Sequence, residues 1–268
     1  MTLVTLQGNP ISRLGLAAQQ RMEVGCVDLA YQAGINYFFS YGLGKGPFVE
    51  EVRSHLAQHR ESLLVATGSE SRTLSEVEAQ LEKARHRFDV DTIDVFFAEY
   101  VAPDDDWTQV EGLLEKLHTW KTQGLIRYVG ASTHNRPVAL QLIEQAHCDV
   151  LMHRYNMAHR GAEATVLPAA QATEKPVIAF TSTRWSTLLK GHPDWSEAPP
   201  TAADCYRFVL SHPAVTVALT SPKTQADLKD NLKALTSPVL SPTELAHWQS
   251  YGDLVYGQGQ DAFDTSWP

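Results

Sequence analysis

The chain has 268 residues, 43% hydrophobic and 20% charged, with 22 basic against 31 acidic side chains and a formal net charge of −9. Such a composition excludes a disordered or collagen-like chain, and the acidic balance argues against nucleic acid or an anionic membrane surface as main partner. No apolar run approaches the roughly 18 residues of a membrane span, and no basic segment followed by an apolar stretch opens the chain, so neither a membrane anchor nor an export signal is expected.

Short apolar, β-branched runs predict strands over 13–17, 35–39 and 63–66. A helix follows over 75–87, with Val77, Leu81 and Ala84 on one face and Ser75 with Glu78 as a capping box. The next strand covers 93–98. After it, 108–123 places Val110, Leu113, Leu114 and Leu117 on one helical face and stops at Gly124, a natural C′ residue. Strands over 127–131, 150–152, 177–180 and 215–219 complete the alternation, while Pro137, Pro168 and Pro213 fall where helices begin or a strand is entered. The Pro-rich stretch GHPDWSEAPP at 191–200 reads as a long loop rather than a domain linker. Cys26, Cys148 and Cys205 are odd in number and far apart, which suits free thiols in a reducing, cytoplasmic setting.

Strands that are apolar at nearly every position are buried on both faces, as in parallel sheets. Eight strand–helix units in a chain of this length predict a single (β/α)8 TIM barrel spanning 1–268, with 252–268 as a variable tail. The competing doubly wound sheet would carry GxGxxG after its first strand, where this chain has GLAAQQ. In a barrel the chemistry sits on the loops beyond the C-terminal strand ends. Those loops hold Gln19 and Gln20, then 40–45, 68–72, 99–100, 132–136, 155–163, 181–185 and 220–224.

At these loops the sequence resembles the aldo-keto reductases. GINYFFSYG at 34–42 is similar to the family's GINFFDTAxxYG, DVDTIDVFFAEY at 89–100 to GVDYIDLYLLHW, and GLIRYVGAST at 124–133 to GKIRYIGVSN. RYNMAHRGAE at 154–163, VIAFTSTRWSTLLKG at 177–191 and TSPKTQADLKDNLKAL at 220–235 continue the match in order along nearly the whole chain. The resemblance implies a barrel that binds NADP(H) and reduces a small-molecule carbonyl or activated alkene. Family members use an Asp-Tyr-Lys-His tetrad in which Tyr gives the proton. Here Phe39, Gly68 and Glu99 stand at the Asp, Lys and His positions, and Tyr41 alone is retained, in a loop three residues shorter than the family pattern. Without a buried Asp–Lys pair Tyr41 is expected to be a poor acid near neutral pH.

The proton-handling candidates are therefore Tyr41, Glu99 and His134. Glu99 ends an apolar strand and is read either as a proton donor or as a carboxylate bridged to Arg136 or Arg184; a few family members that reduce carbon–carbon double bonds also carry Glu there. His134 is read either as a replacement acid/base or as a loop residue near the helix at Pro137. The resemblance gives Ser132 and Thr133 to the nicotinamide amide and Phe180, with Thr181 after it, to the nicotinamide face. It gives Ser221, Lys223, Thr224, Asp227 and Asn231 to the phosphate and adenine end, where a helix N-terminus offers N–H groups to phosphate. Phe180 is equally a plain core residue, and the 220–235 helix equally a structural one. Arg184 and Trp185 are candidate substrate contacts. Arg154, Tyr155, Asn156, His159, Arg160 and Glu163 read mainly as a structural cluster. The histidine spacing at the strand ends points to no metal site. Two rivals stay open: a cofactor-independent lyase or isomerase using Glu99, His134 and Arg184, and a catalytically silent binding protein. Neither the substrate nor the oligomeric state follows from the sequence.

Overall fold

The protein is described here by a computed structural model covering residues 2–44, 46–145 and 147–257. Phe263 and Trp267 of the predicted tail lie outside the described residues. Eight strands pair in sequence order and all in parallel: β1 (Leu14–Ala17), β2 (Tyr37–Ser40), β3 (Leu64–Ser69), β4 (Ile93–Ala98), β5 (Ile126–Thr133), β6 (Val150–Arg154), β7 (Val177–Phe180) and β8 (Val215–Thr220). β8 pairs back onto β1, with Gly15 opposite Leu219, and closes the predicted barrel.

Alternation along each strand explains why the runs are apolar at nearly every position. Tyr37, Phe39, Leu64, Ala66, Val95 and Phe97 point into the lumen. The intervening Phe38, Val65, Phe96, Val129 and Leu151 pack outward against the helices. The lumen is filled by shape: a Cβ on Gly130 would collide with the Phe97 ring, so the missing side chain on β5 makes room for the large one on β4. At the N-terminal end, Val4 bridges to Pro10 and Leu3 and Ile11 join the lumen cluster as a plug. There the buried Asp94 is held by Arg60 at 2.9 Å and Arg127 at 2.7 Å.

The outer layer consists of α1 (Cys26–Gln32), α2 (Pro47–His59), α3 (Leu74–Phe88), α4 (Trp107–Thr122), α5 (Arg136–Glu144), α6 (Val166–Ala172), α7 (Ala202–Leu210) and α8 (Gln225–Thr236). Gly124 takes the expected left-handed conformation after α4 (φ +77°), and Pro137 sits in the first turn of α5. One capping expectation is corrected. α3 starts after Thr73, so Ser75 lies inside the first turn and no Ser75–Glu78 box forms. Ser71, two residues before the cap, does related work by donating to Glu76 at 2.5 Å and accepting from the Thr73 N–H at 3.0 Å.

A last helix, α9 (Pro242–Tyr256), braces the loops after β6 and β7. Gly252 lies so close to the Met157 carbonyl that no Cβ fits there, and the Tyr251 hydroxyl donates to the Leu188 carbonyl at 2.7 Å. The loop after β7 forms one wall of the barrel mouth.

Candidate active site

The C-terminal mouth of the barrel opens into a cavity of about 480 Å³. Its floor is apolar, built from Phe39, Met152 and Leu219, the last lumen-facing side chains of their strands. Phe39 is 7% exposed and meets Phe97 edge-on at 5.9 Å.

Glu99 reaches this cavity by strand parity. On β4 Val95 and Phe97 face the lumen, so the next inward position falls just beyond the strand end, on Glu99. Its side chain lines the cavity, is 2% exposed, and leaves Oε1 without a hydrogen-bond partner. Burial pushes the carboxyl up to about 8; the nearby Glu70 charge adds to the rise and Arg72 opposes it. Arg72 also fixes the turn, donating to the Glu99 main-chain carbonyl at 3.0 Å and to Asp105 at 2.8 and 3.1 Å. The bridge to Arg136 or Arg184 does not form. The Arg136 guanidinium packs into the space that Gly161 leaves by lacking a Cβ, and Arg184 donates to the Val255 carbonyl on α9.

An arc of rings closes one side of the mouth. Tyr41, 47% exposed, meets Tyr100 edge-on at 5.9 Å. Tyr100 stacks on His134 at 5.4 Å and 20°, and His134 meets Phe180 edge-on at 4.8 Å. Tyr41, Tyr100 and Phe180 line the cavity, whereas His134, 3% exposed, lies behind them. His134, named as an acid/base candidate, thus sits behind the pocket lining, with the Tyr100 ring stacked on it.

Ser132 and Thr133 part company for the same reason of parity. Ser132 faces the cavity and its Oγ accepts from the Tyr100 N–H at 2.9 Å. Thr133 points away, donating to the Val101 carbonyl at 2.7 Å and accepting from the Asn135 N–H at 3.0 Å, so it stands outside the expected nicotinamide contacts. Behind it, burial pushes His153 down to about 3, a neutral ring against the Thr133 carbonyl at 2.8 Å.

In the β7 loop, Thr181 and Trp185 line the cavity and Arg184 does not. Arg184, named as a candidate substrate contact, is 2% exposed and braces the loop by donating to the Val255 carbonyl on α9. Thr181, Arg184, Trp185 and Ser186 all have left-handed backbones (φ +49° to +66°), a conformation costing non-glycine residues about 1 kcal/mol or more each. The Thr181 hydroxyl is buried without a partner. The 154–163 cluster does the structural work expected of it. Asn156 Oδ1 accepts from the Ala158 and His159 N–H groups at 3.0 and 2.8 Å, and its Nδ2 donates to the Thr181 carbonyl at 3.0 Å. Tyr155 donates to Glu163 at 2.7 Å.

A second chamber of about 560 Å³ adjoins the first, sharing Thr183, Ser186, Tyr206, Ser221 and Lys223 with it. Asp227 and Asn231 line it; Asn231 donates to Thr220 at 2.9 Å. Thr224 does not line it; Thr224 and Asp227 form a reciprocal capping box at the start of α8. Glu23 accepts from the Gln225 N–H at 2.8 Å. The first-turn N–H groups of Gln225 and Asp227 are thus already bonded, to Glu23 and Thr224. Among the described residues, Lys223 at the junction of the chambers and Lys233, paired with Asp230, are the cations lining the second chamber. Sequence reasoning missed Tyr100 and Tyr206. Tyr100 was detectable as the neighbour of Glu99 at a strand end; Tyr206 lies within α7 and reaches the chambers through tertiary packing alone.

The sequence model of the Aldo/keto reductase family matches residues 13–202, ending before β8 and the 220–235 segment. A curated Bacillus subtilis protein, "Uncharacterized oxidoreductase YqkF", is 20% identical over 278 residues, covering 89% of this chain and 90% of its own. Among solved structures, the holo form of aldo-keto reductase AKR11C1 from Bacillus halodurans superposes with a TM-score of 0.78 at 18% identity, covering 97% of this chain and 99% of its own. An aldo-keto reductase from Klebsiella pneumoniae in complex with NADPH superposes with a TM-score of 0.75 at 18% identity, over 94% and 95% of the two chains. The match over most of the barrel, together with the closed eight-stranded architecture, makes this chain a member of the aldo/keto reductase family.

Proposed function

We propose that the protein is an NADP(H)-dependent oxidoreductase acting on a small carbonyl or activated-alkene compound, with the Glu99 carboxyl as proton donor. The observation that carries this reading is Glu99 itself: a cavity-lining carboxyl, 2% exposed, with one oxygen unpartnered.

The two joined chambers fit a dinucleotide. Phe180 presents a ring to the first chamber, Ser132 a hydroxyl, and Thr181 a buried hydroxyl that lacks a partner. These would hold the nicotinamide end, while Lys223 and Asn231 would hold the phosphate and adenosine end. When bound, the cofactor supplies hydride to the substrate. Glu99, protonated below about pH 8, donates its proton to the oxygen of a reduced carbonyl or to the second carbon of a reduced alkene, and regains it from water. The apolar floor excludes water and keeps the acid neutral until it acts. The Klebsiella relative's complex with NADPH supports the cofactor assignment. Three buried free thiols suit a reducing cytoplasm, and no helix among the described residues is long and apolar enough to cross a membrane. The cofactor-independent rival loses support, since His134 and Arg184 do not join Glu99 in the cavity.

NADPH fluorescence titration followed by NADPH oxidation with 4-nitrobenzaldehyde and cinnamaldehyde, in wild type and Glu99→Gln, tests the proposal. Binding in both proteins with turnover lost in the variant is the expected result. No binding at millimolar NADPH contradicts it, and binding without turnover in the wild type points to the silent binding protein.

A further inference from the structure

The turn between β8 and α8 offers three consecutive N–H groups, those of Lys223, Thr224 and Gln225, and the protein's own carboxylates take all three. Asp227 Oδ2 accepts from the Lys223 N–H at 3.2 Å and from the Thr224 N–H at 3.0 Å. Glu23, in the loop after β1, accepts from the Gln225 N–H at 2.8 Å through Oε2. Both acids are fixed in these positions. The Asp227 N–H donates back to Thr224 Oγ1 at 3.0 Å, and the Glu23 N–H donates to the Lys223 carbonyl at 2.8 Å. The Gln225 side chain ties down the same loop by donating to the Val24 carbonyl at 3.0 Å. Consecutive N–H groups entering a helix are a common seat for phosphate. Here two internal anions fill that seat.

The charge around the turn has the same sense. Among the described residues lining the second chamber, Lys223 and Lys233 are balanced by Asp227 and Asp230, and Lys233 pairs with Asp230 at 2.5 Å. Nearby, the buried Cys26 thiol is pushed up to about 11 by burial, and Glu23, Glu51 and Asp227 add to the rise. Glu51 is itself anchored, accepting from the Gly25 N–H at 2.9 Å and from the Val27 N–H at 3.2 Å. Lys223 therefore works against a local excess of carboxylates, whereas a phosphate monoester brings close to two further negative charges.

From these observations we infer that Glu23 and Asp227 set the cofactor preference: they oppose a 2′-phosphate at this turn, so the site takes NADH nearly as readily as NADPH. The inference rests on the NADP(H) reading and deepens it. Lys223 attracts the phosphate, while the two carboxylates withhold the N–H groups from it and repel its charge. A carboxylate also suits the free 2′-hydroxyl of NADH, which donates a hydrogen bond where a phosphate dianion only accepts.

The test is equilibrium fluorescence titration of NADPH and of NADH against the full chain at low salt. Wild type should bind NADH no more than about fivefold less tightly than NADPH. Asp227→Asn keeps an acceptor oxygen for the cap and removes the charge. It should tighten NADPH by about threefold and leave NADH unchanged or weaker. Glu23→Gln should move the ratio in the same direction. Glu23 lies at the surface, so its variant carries the test should Asp227→Asn fail to fold. Both gains should shrink as salt is raised. A wild-type preference for NADPH beyond that range, or an equal change for both cofactors in the variants, as a purely structural cap would give, overturns the inference and leaves the NADP(H) reading standing. No binding of either cofactor to wild type removes that reading and this inference with it.

Discussion

A Cβ on Gly68 would stand 2.8 Å from Glu99 Cγ and 2.8 Å from Phe97 Cβ, and closer still to the Phe97 carbonyl oxygen. Gly68 on β3 pairs with Phe97 on β4, so the absence of a side chain on one strand and the presence of the carboxyl on the other belong together. The position where the family pattern has its lysine is sterically closed here. Gly68→Ala should destabilise the protein by about 1–3 kcal/mol through overpacking, seen as a lower denaturation midpoint in urea. Gly68→Lys should destabilise it at least as much and restore no activity.

Glu99 has its folded pKa raised, from 4.5 to about 8, so the folded state holds a proton that the unfolded chain releases between these values. Stability contributed by this group is therefore greatest below about pH 4.5, falls as pH rises toward about 8, and is flat above. Glu99→Gln cannot lose a proton. Thermal melts should show the variant gaining stability relative to wild type between pH 5 and pH 9; a constant difference across that range would count against a buried neutral carboxyl.

Arg72 and Glu70 act on Glu99 with opposite signs, Arg72 lowering its pKa and Glu70 raising it. Arg72 additionally holds the Glu99 carbonyl and Asp105. In turnover assays, Glu70→Gln should move the alkaline fall in kcat to lower pH. Arg72→Gln should move it to higher pH and reduce kcat with little change in KM, because the acid is displaced rather than the substrate contacts. Shifts of the same sign in both variants would contradict this arrangement.

Lys223 is exposed at the junction of the chambers, and the proposed function gives it the contact to the cofactor's 2′-phosphate. Lys223→Ala should weaken NADPH by about fivefold and leave NADH nearly unchanged in equilibrium titrations. Equal effects on the two cofactors would assign the lysine another role.

Arg184 ties the loop after β7 to α9 by donating to the Val255 carbonyl. Arg184→Met should cost about 1–3 kcal/mol, read from chemical denaturation. Its KM values for neutral and anionic aldehydes should fall or rise together. A selective loss of the anionic aldehyde would return Arg184 to the substrate pocket.

The barrel was legible because all eight strands are apolar on both faces, and two inward residues per strand are enough to read the period. The family resemblance points to Glu99 and Ser132, and strand parity explains why both reach the mouth. The same rule, applied one residue further, would have turned Thr133 outward. It loses its hold beyond the strand ends, where left-handed residues such as Tyr100 and Thr181 reset the direction of the chain. His134 and Arg184 have side chains chemically suited to a site and were placed in it on that basis, yet their positions are set by an overlying ring and by a helix some 70 residues downstream. Thr224 shows a further ambiguity. A hydroxyl and a carboxyl three residues apart at a helix start suit ligand contact and helix capping equally, and in this structure they cap the helix.

The protonation state of Glu99 is the most direct test of the account. A pH titration of the protein labelled with ¹³C at its glutamate carboxyls, compared with Glu99→Gln, isolates this group. The account predicts one resonance, absent from the variant, that titrates near pH 8. If every glutamate, Glu99 included, titrates in the ordinary range near pH 4–5, the carboxyl is ionised at neutral pH and the proposed proton donor is excluded.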